Sequence, residues 1–252
     1  MIAGLISLGY CAALLVLIEV GRRAGRARLE RDPDKGLSGL GPIEGSVLGL
    51  FGLLLAFSFG GAVSRFNDRT LLVIDEANAV RTAWLRLDVL SAADQPALRK
   101  TFQEYVQARV ETQAAEEEDT RNLEERIQQL KEEIWKGVHA AYRRDGYSSS
   151  GNFLMASLNE LFDLGDRRLA YRRYHMPIAV FIFLLALGLI GGLMAGMAMA
   201  GSKNRNWLYP VGFAIINGLT IYLIIDIEYP RHGLIRNDAV HQVLVEAAER
   251  LR

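Results

Sequence analysis

The sequence has one cysteine, Cys11, no surplus of charge of either sign, and none of the short motifs that mark common enzymes. A lone cysteine excludes an intramolecular disulfide and a thiolate metal cluster. With 29 Lys and Arg against 29 Asp and Glu, no global basic field points to nucleic acid and no acidic excess points to a solvated chaperone. There is no Gly-rich phosphate loop, no His-Glu-x-x-His and no Gly-x-Ser-x-Gly. His139, His175, His232 and His241 are scattered, and none stands four residues from another His or a Cys. They read as surface or interfacial histidines rather than metal ligands. Strand alternation is absent too, so the expectation is an all-α protein that is not an enzyme and has no cofactor and no metal site.

What is present is apolar and clustered. Of the 252 residues 50% are hydrophobic and 24 are glycine, and the apolar ones gather into four long runs. Ile2 to Val20 is interrupted only by Ser7, Tyr10 and the terminal Glu19, and Pro42 to Val63 holds one acid, Glu44, at its start. Pro177 to Ala200 is the cleanest run, and Trp207 to Ile225 is the fourth, with Asn217 and Thr220 inside. A hydrocarbon core of ~30 Å needs roughly 20 helical residues, so each run is long enough to span it. The first run has no basic leader and no small-x-small cleavage site, so it reads as an anchor rather than a signal peptide. Trp207, Tyr209, Tyr222 and Tyr229 flank the fourth span, as amphipathic rings do at a bilayer interface. Gly188, Gly192 and Gly196 repeat every four residues in the third span and predict a close helix approach within this four-helix unit.

Between spans two and three lies a charged helical stretch. Phe66, Thr70, Val73, Ala77, Val80, Trp84 and Leu87 follow alternating steps of four and three, so the second span is predicted to run on as one long helix. Pro96 marks a break and restart, and a second helix carries Leu98, Phe102, Tyr105 and Arg109. The acidic run Glu116-Glu117-Glu118-Asp119 reads as a solvated face. Leu123, Ile127, Leu130, Ile134, Val138 and Ala141 continue the period, and Asp145 to Gly151 forms a loop whose Ser149, or the following Asn152, caps a further helix. Val240, Val243, Leu244, Ala247 and Leu251 make a short amphipathic tail suited to the domain surface or the membrane surface. The predicted partition is 1–63 for spans one and two with a basic connecting loop, and 64–176 for a long helical-hairpin domain outside the membrane. Residues 177–229 hold spans three and four, and 230–252 the terminal helix.

Orientation is contested by two sets of charges. Arg22, Arg23, Arg26, Arg28, Arg31 and Lys35 after span one, with Lys203 and Arg205 after span three, put those short loops in the cytoplasm of a bacterial inner membrane and the helical domain outside. Arg167, Arg168, Arg172 and Arg173 beside span three, with Arg65 and Arg69 beside span two, argue for a cytoplasmic domain.

Polar residues at membrane depth cost on the order of 2.5 to 3.5 kcal/mol when charged and uncompensated, which singles out Asn217, Asp226 and Glu228. Asn217, Thr220 and Ile224 share one helical face. These groups either line a water-filled path or tie helix ends together, with Arg172 and Arg173 as expected partners. On span two, Leu55, Phe59 and Val63 are spaced by four, a stripe that closes a hydrophobic constriction if several copies surround it and is plain packing if they do not.

Two stretches resemble the bacterial bestrophin-like domain family. One is Glu44-Gly-Ser-Val-Leu-Gly-Leu-Phe-Gly-Leu-Leu-Leu-Ala-Phe-Ser-Phe with Ser64-Arg65-Phe66-Asn67-Asp68-Arg69 and Val73-Ile74-Asp75-Glu76-Ala77-Asn78-Ala79-Val80-Arg81. The other is Ile225-Asp226-Ile227-Glu228-Tyr229-Pro230-Arg231-His232-Gly233. The resemblance implies a homo-oligomer, a pentamer by analogy with true bestrophins, whose second membrane helix lines an anion pore and whose inserted helical region is cytosolic. Leu55, Phe59 and Val63 match that neck by position and spacing. Glu76, Asn78 and Arg81 have their own reading as a polar network on the long helix, completed by Arg172 or Arg173. The functional expectation is a homo-oligomeric ion channel or pore in contact with lipid and ions. The alternative is a non-conducting scaffold or signalling protein that docks partners through its helical domain and heptad seam. No inverted repeat or broken-helix pair favours a transporter.

Overall fold

The computed structural model describes residues 2–32, 37, 40–114, 117–144, 146, 149–202, 207–229, 234–235 and 238–251. Among them are eight α-helices and no strand. They are α1 (Ile2–Arg31), α2 (Leu40–Arg86), α3 (Gln95–Ala114), α4 (Glu117–Arg144), α5 (Ser149–Arg173), α6 (Ile178–Ala198), α7 (Leu208–Glu228) and α8 (Asp238–Glu249). Lys35, Lys203, Arg205, Glu116, Asp145, His232 and the Pro230–Gly233 part of the closing motif lie outside the described residues, as do the side chains of Glu117 and Glu118.

Two helix boundaries differ from the sequence reading. Arg22 to Arg31, expected as a loop, continue α1, because Arg, Ala, Leu and Glu are good helix formers and the segment has no proline. Gly25 within it and Gly21 just before it are buried. The helix expected from about Phe153 begins at Ser149, so Asn152 sits inside its first turn, where its side-chain oxygen accepts the Tyr142 hydroxyl at 2.5 Å. The long second helix does run through: α2 has 47 residues, about 70 Å at 1.5 Å per residue. At the start of span three the chain breaks between Arg173 and Ile178, where Pro177 precedes the first turn and biases Met176 away from helix.

The described residues form two compact units. The first, Met1–Phe66 with His175–Arg236, contains the four helices long and apolar enough to cross a membrane. Its core is Tyr10, Leu14, Phe51, Leu184, Leu187, Ala214, Ile221 and Ile224. The predicted glycine stripe works inside the chain: Gly188 lies against Tyr10 and Phe51, Gly192 against Leu14, and Gly196 against the backbone of Ile18. Gly21 returns the contact against the Leu193 carbonyl, so α1 and α6 approach almost backbone to backbone, as small residues permit in lipid. Large apolar side chains such as Leu5, Leu8, Val16, Ile182, Ile190, Ile216 and Leu219 face outward, a face that water would penalise and hydrocarbon accepts.

The second unit is Asn67–Tyr174 with Asn237–Arg252. The end of α2 supplies Val73, Ala77, Val80 and Leu87 to its core, α3 Phe102 and Tyr105, α4 Ile127, Leu130, Ile134 and Val138, and α5 Leu154, Leu158 and Leu161. The tail helix joins this core through Leu244, Ala247 and Leu251, and Gln103 donates to the Leu251 carbonyl at 2.7 Å. A run of rings, Trp84–Phe102–Tyr105–Phe162, crosses the core at centroid spacings of 5.9, 6.2 and 5.6 Å. The heptad seam is therefore filled by the unit's own helices.

Candidate functional site

The most strongly determined polar feature of the second unit is Glu76, whose side chain is fully buried on the apolar seam of α2. Its Oε1 accepts from Arg109 Nε at 2.5 Å, and its Oε2 accepts from Arg168 Nη1. Arg109 also donates through Nη2 to the Gly165 carbonyl at 3.1 Å. A Cβ at position 165 would stand 3.3 Å from the Tyr105 hydroxyl and 3.4 Å from the Arg109 guanidinium carbon, so the backbone of α5 packs directly against both side chains. Burial opposes ionisation of Glu76, but the two guanidiniums outweigh it and hold the carboxyl below the usual carboxylate range. The network thus joins α2, α3 and α5 with both carboxylate oxygens engaged, the condition under which a buried ion pair is tolerated.

The Tyr105 hydroxyl, beside this network, has no hydrogen-bond partner among the described residues. Burial pushes its phenol well above the ordinary value. Tyr105→Phe is expected to leave the melting temperature unchanged or raise it, a gain of up to about 1 kcal/mol, because a buried hydroxyl without a partner carries a desolvation cost. A clear loss of stability on thermal melting would mean that the hydroxyl is bonded.

Sequence reasoning picked Glu76 but not its partners. Asn78 and Arg81 are exposed and stand apart from the network. Arg172 instead donates to the Thr112 carbonyl at 3.1 Å, and the exposed Arg173 pairs with Glu124 at 3.1 Å. The overlooked signal was a charge on each of two apolar faces: Glu76 falls between Val73 and Val80, and Arg109 follows Phe102 and Tyr105 by seven and four.

In the first unit, Glu228 at the end of α7 gathers the ends of three spans. It accepts from Arg65 Nε at 3.1 Å and from the Met176 amide at 2.8 Å, and Nη2 of the same guanidinium lies 3.0 Å away in the ion pair. His175 Nδ1 lies 3.6 Å away, its ring stacked on Tyr229 at 4.6 Å. Asp226 turns the chain back after α7 by accepting from the Leu234 and Ile235 amides at 3.0 and 2.9 Å. Both acids therefore pair with groups other than the expected Arg172 and Arg173. Asn217 and Thr220 each donate to a carbonyl one turn back, Phe213 and Ile216, at 2.8 Å, satisfying themselves on their own helix.

On α2, Leu55 and Val63 pack against the core of the first unit and Phe59 is 37% exposed. Two residues along a helix turn it about 200°. The open side is accordingly that of Leu53 and Phe57, 52% and 69% exposed, with Leu50 nearby. Side chains added at Gly49, Gly52 or Gly60 would meet nothing within 4 Å. Of this span 17% is buried within the chain, against 22% for the span in α1 and 33% for each of the spans in α6 and α7.

The sequence matches the family model of the bestrophin-like domain over residues 9–236. The chain belongs to the bestrophin-like family. That match takes in the α2 span, the Glu76 network and the Glu228 cluster, and stops short of α8. Among solved structures, this bestrophin-like chain is similar to a bacterial bestrophin homologue from Klebsiella pneumoniae. A tryptophan-to-alanine mutant of it superposes with a TM-score of 0.68 at 14% identity, covering 96% of this chain and 98% of the other. A leucine-to-threonine mutant gives 0.67 at 16% identity over 96% and 98%, and the form phased on zinc 0.63 at 16% over 94% and 97%. No curated protein matches. At such identities the shared property is the fold, and with its four apolar spans the bestrophin-like chain is a multi-pass membrane protein of all-α architecture.

Proposed function

We propose that this bestrophin-like protein is a homo-oligomeric ion channel of the bacterial inner membrane with α2 lining the pore. The observation that carries the reading is the open face of α2, since a helix that lines an axis shared by several copies must leave one face uncovered in each. Leu50, Leu53 and Phe57 supply bulky apolar groups on that face, able to gate by dewetting, and Gly49, Gly52 and Gly60, which carry no side chain, leave the space beside them open. Family membership supports the same reading, because true bestrophins conduct through their second membrane helix. On this reading the constriction is formed by Leu53 and Phe57, with Phe59 at its border, and their exposure supports them over Leu55 and Val63.

Purified protein reconstituted in planar bilayers tests this. Phe57→Ala and Leu53→Ala are expected to raise open probability or leak several-fold, with Leu55→Ala changing conduction little. Wild-type currents in every variant would remove this face of α2 as the pore lining, and no current at all, or a monomer in nanodiscs, would remove the channel. A scaffold that docks partners through the heptad seam is less supported, because that seam is buried within the second unit. Positive-inside counting sets the second unit outside, and the family resemblance sets it in the cytoplasm. A C-terminal alkaline phosphatase fusion separates the two, being active only in the first case.

A further inference from the structure

α1 has 30 residues, about 45 Å of helix, against a hydrocarbon core of ~30 Å, so its last turns stand clear of the apolar layer. Two contacts in the first unit fix the depth at which they emerge. The Cys11 thiol donates to the Ala214 carbonyl at 3.2 Å, and Gly218 lies against Cys11 and the Ser7 carbonyl, so α7 runs opposite to α1. Trp207, seven residues before Ala214, is then about 10 Å along from Cys11 and level with Ile18. The Trp207 and Tyr209 rings are 44% and 69% exposed, as at a bilayer interface. Arg22 and Arg26 follow Val20 by about 3 and 9 Å. A headgroup layer is about 5–7 Å deep, and the long side chain of Arg26 reaches back into it. Gly21 against the Leu193 carbonyl and Gly25 against Ala200 brace this stretch on α6, so the arginines stand on a fixed frame.

Across residues 19–32 five arginines face three acids, so the sign of this end is positive. Glu19 is engaged by Arg23 at 3.1 Å. Arg22 and Arg26 stand one turn apart on one side of α1 and make no ion pair among the described residues, although the exposed Glu30 is one turn beyond Arg26. The Arg22 Nε is buried with no acceptor among the described residues, so that edge of the guanidinium has lost its water and an anion at the open edge gains more. The sequence joining α6 to α7 carries Lys203 and Arg205 and no acid.

We propose that this end of α1 binds the headgroup phosphate of an anionic phospholipid, with Arg22 and Arg26 as the contacts. A guanidinium meets a phosphate through two parallel N–H bonds, and phosphates are the acceptors present at this depth. A zwitterionic lipid offers the same phosphate with a cation beside it, which cancels the attraction, so the surplus charge selects lipids of net negative charge. The inference stands on the first unit alone and does not depend on conduction through α2.

The test uses the full-length protein in a neutral detergent, given equal amounts of phosphatidylglycerol and phosphatidylcholine, with the lipids that stay bound counted by native mass spectrometry. The expected result is a several-fold excess of phosphatidylglycerol, falling about five-fold for each arginine removed in Arg22→Gln and in the double variant with Arg26→Gln. Glu30→Gln removes an acid and keeps every arginine, so it is expected to raise the excess, and it decides the matter alone if the double variant does not fold. Arg81→Gln with Arg121→Gln, two exposed charges of the second unit, is the control and is expected to change nothing. Equal retention of the two lipids by the wild type would overturn the site. So would an excess that neither the arginine variants nor Glu30→Gln move, or one that falls as far in the control. Displacement of the bound lipid by inorganic phosphate at constant ionic strength would assign the end of α1 to free phosphate and overturn it as a lipid site.

Discussion

Glu76→Ala is expected to destabilise the second unit by about 3–5 kcal/mol, since it leaves two buried guanidiniums facing each other without the carboxylate that holds them. Trp84 and Trp135 both lie in that unit, so their fluorescence during denaturant unfolding of the full-length protein reads the loss. Glu76→Leu combined with Arg109→Met and Arg168→Met is expected to recover most of it, because removing all the charges removes the desolvation cost along with the attraction. A near-neutral Glu76→Ala would show that the network is hydrated and not buried. The same pair sets an acid dependence. The folded-state pKa of Glu76 lies below its unfolded value, which is about 4.3 for a free glutamate. Its contribution is therefore fully present above that value and is lost as pH falls through the depressed one, so the unit is expected to weaken below about pH 4 and Glu76→Gln to flatten that dependence.

Gly196→Leu is expected to cost about 3 kcal/mol or more and to deplete the folded protein in membranes, because a Cβ at that position overlaps the Ile18 carbonyl. Neither α1 nor α6 can yield locally, since Gly21 presses on the Leu193 carbonyl less than one turn away on the same seam. Gly9→Leu, on the same helix α1 but with nothing within 4 Å of an added Cβ, is the control and is expected to be close to neutral. The yield and melting temperature of detergent-extracted protein compare the two. Equal behaviour would mean that α1 and α6 are not in close contact.

Much of this architecture is legible along the chain. Hydropathy and length mark the four spans, and α2 runs past its apolar stretch as the step of four and three through Val73, Ala77 and Val80 requires. The Gly188–Gly192–Gly196 repeat announces a close approach, although not that Tyr10, Leu14 and Ile18 of α1 are what it meets. The Leu55–Phe59–Val63 stripe shows the difficulty from the other side. A four-residue spacing tells that side chains share a face and leaves open whether that face meets the core or an axis, and here Leu55 and Val63 meet the core.

The amino-acid sequence by itself determined the helical class, the number of spans and the faces of each helix, because these follow from interactions three or four residues apart. Only the tertiary structure decided that Glu76 is neutralised by Arg109 and Arg168, 33 and 92 residues away, and that Glu228 takes Arg65, 163 residues away. Several arginines near the membrane were equally eligible on charge alone. Charge attracts without direction, and which guanidinium arrives is settled by how α3, α5 and the end of α2 pack.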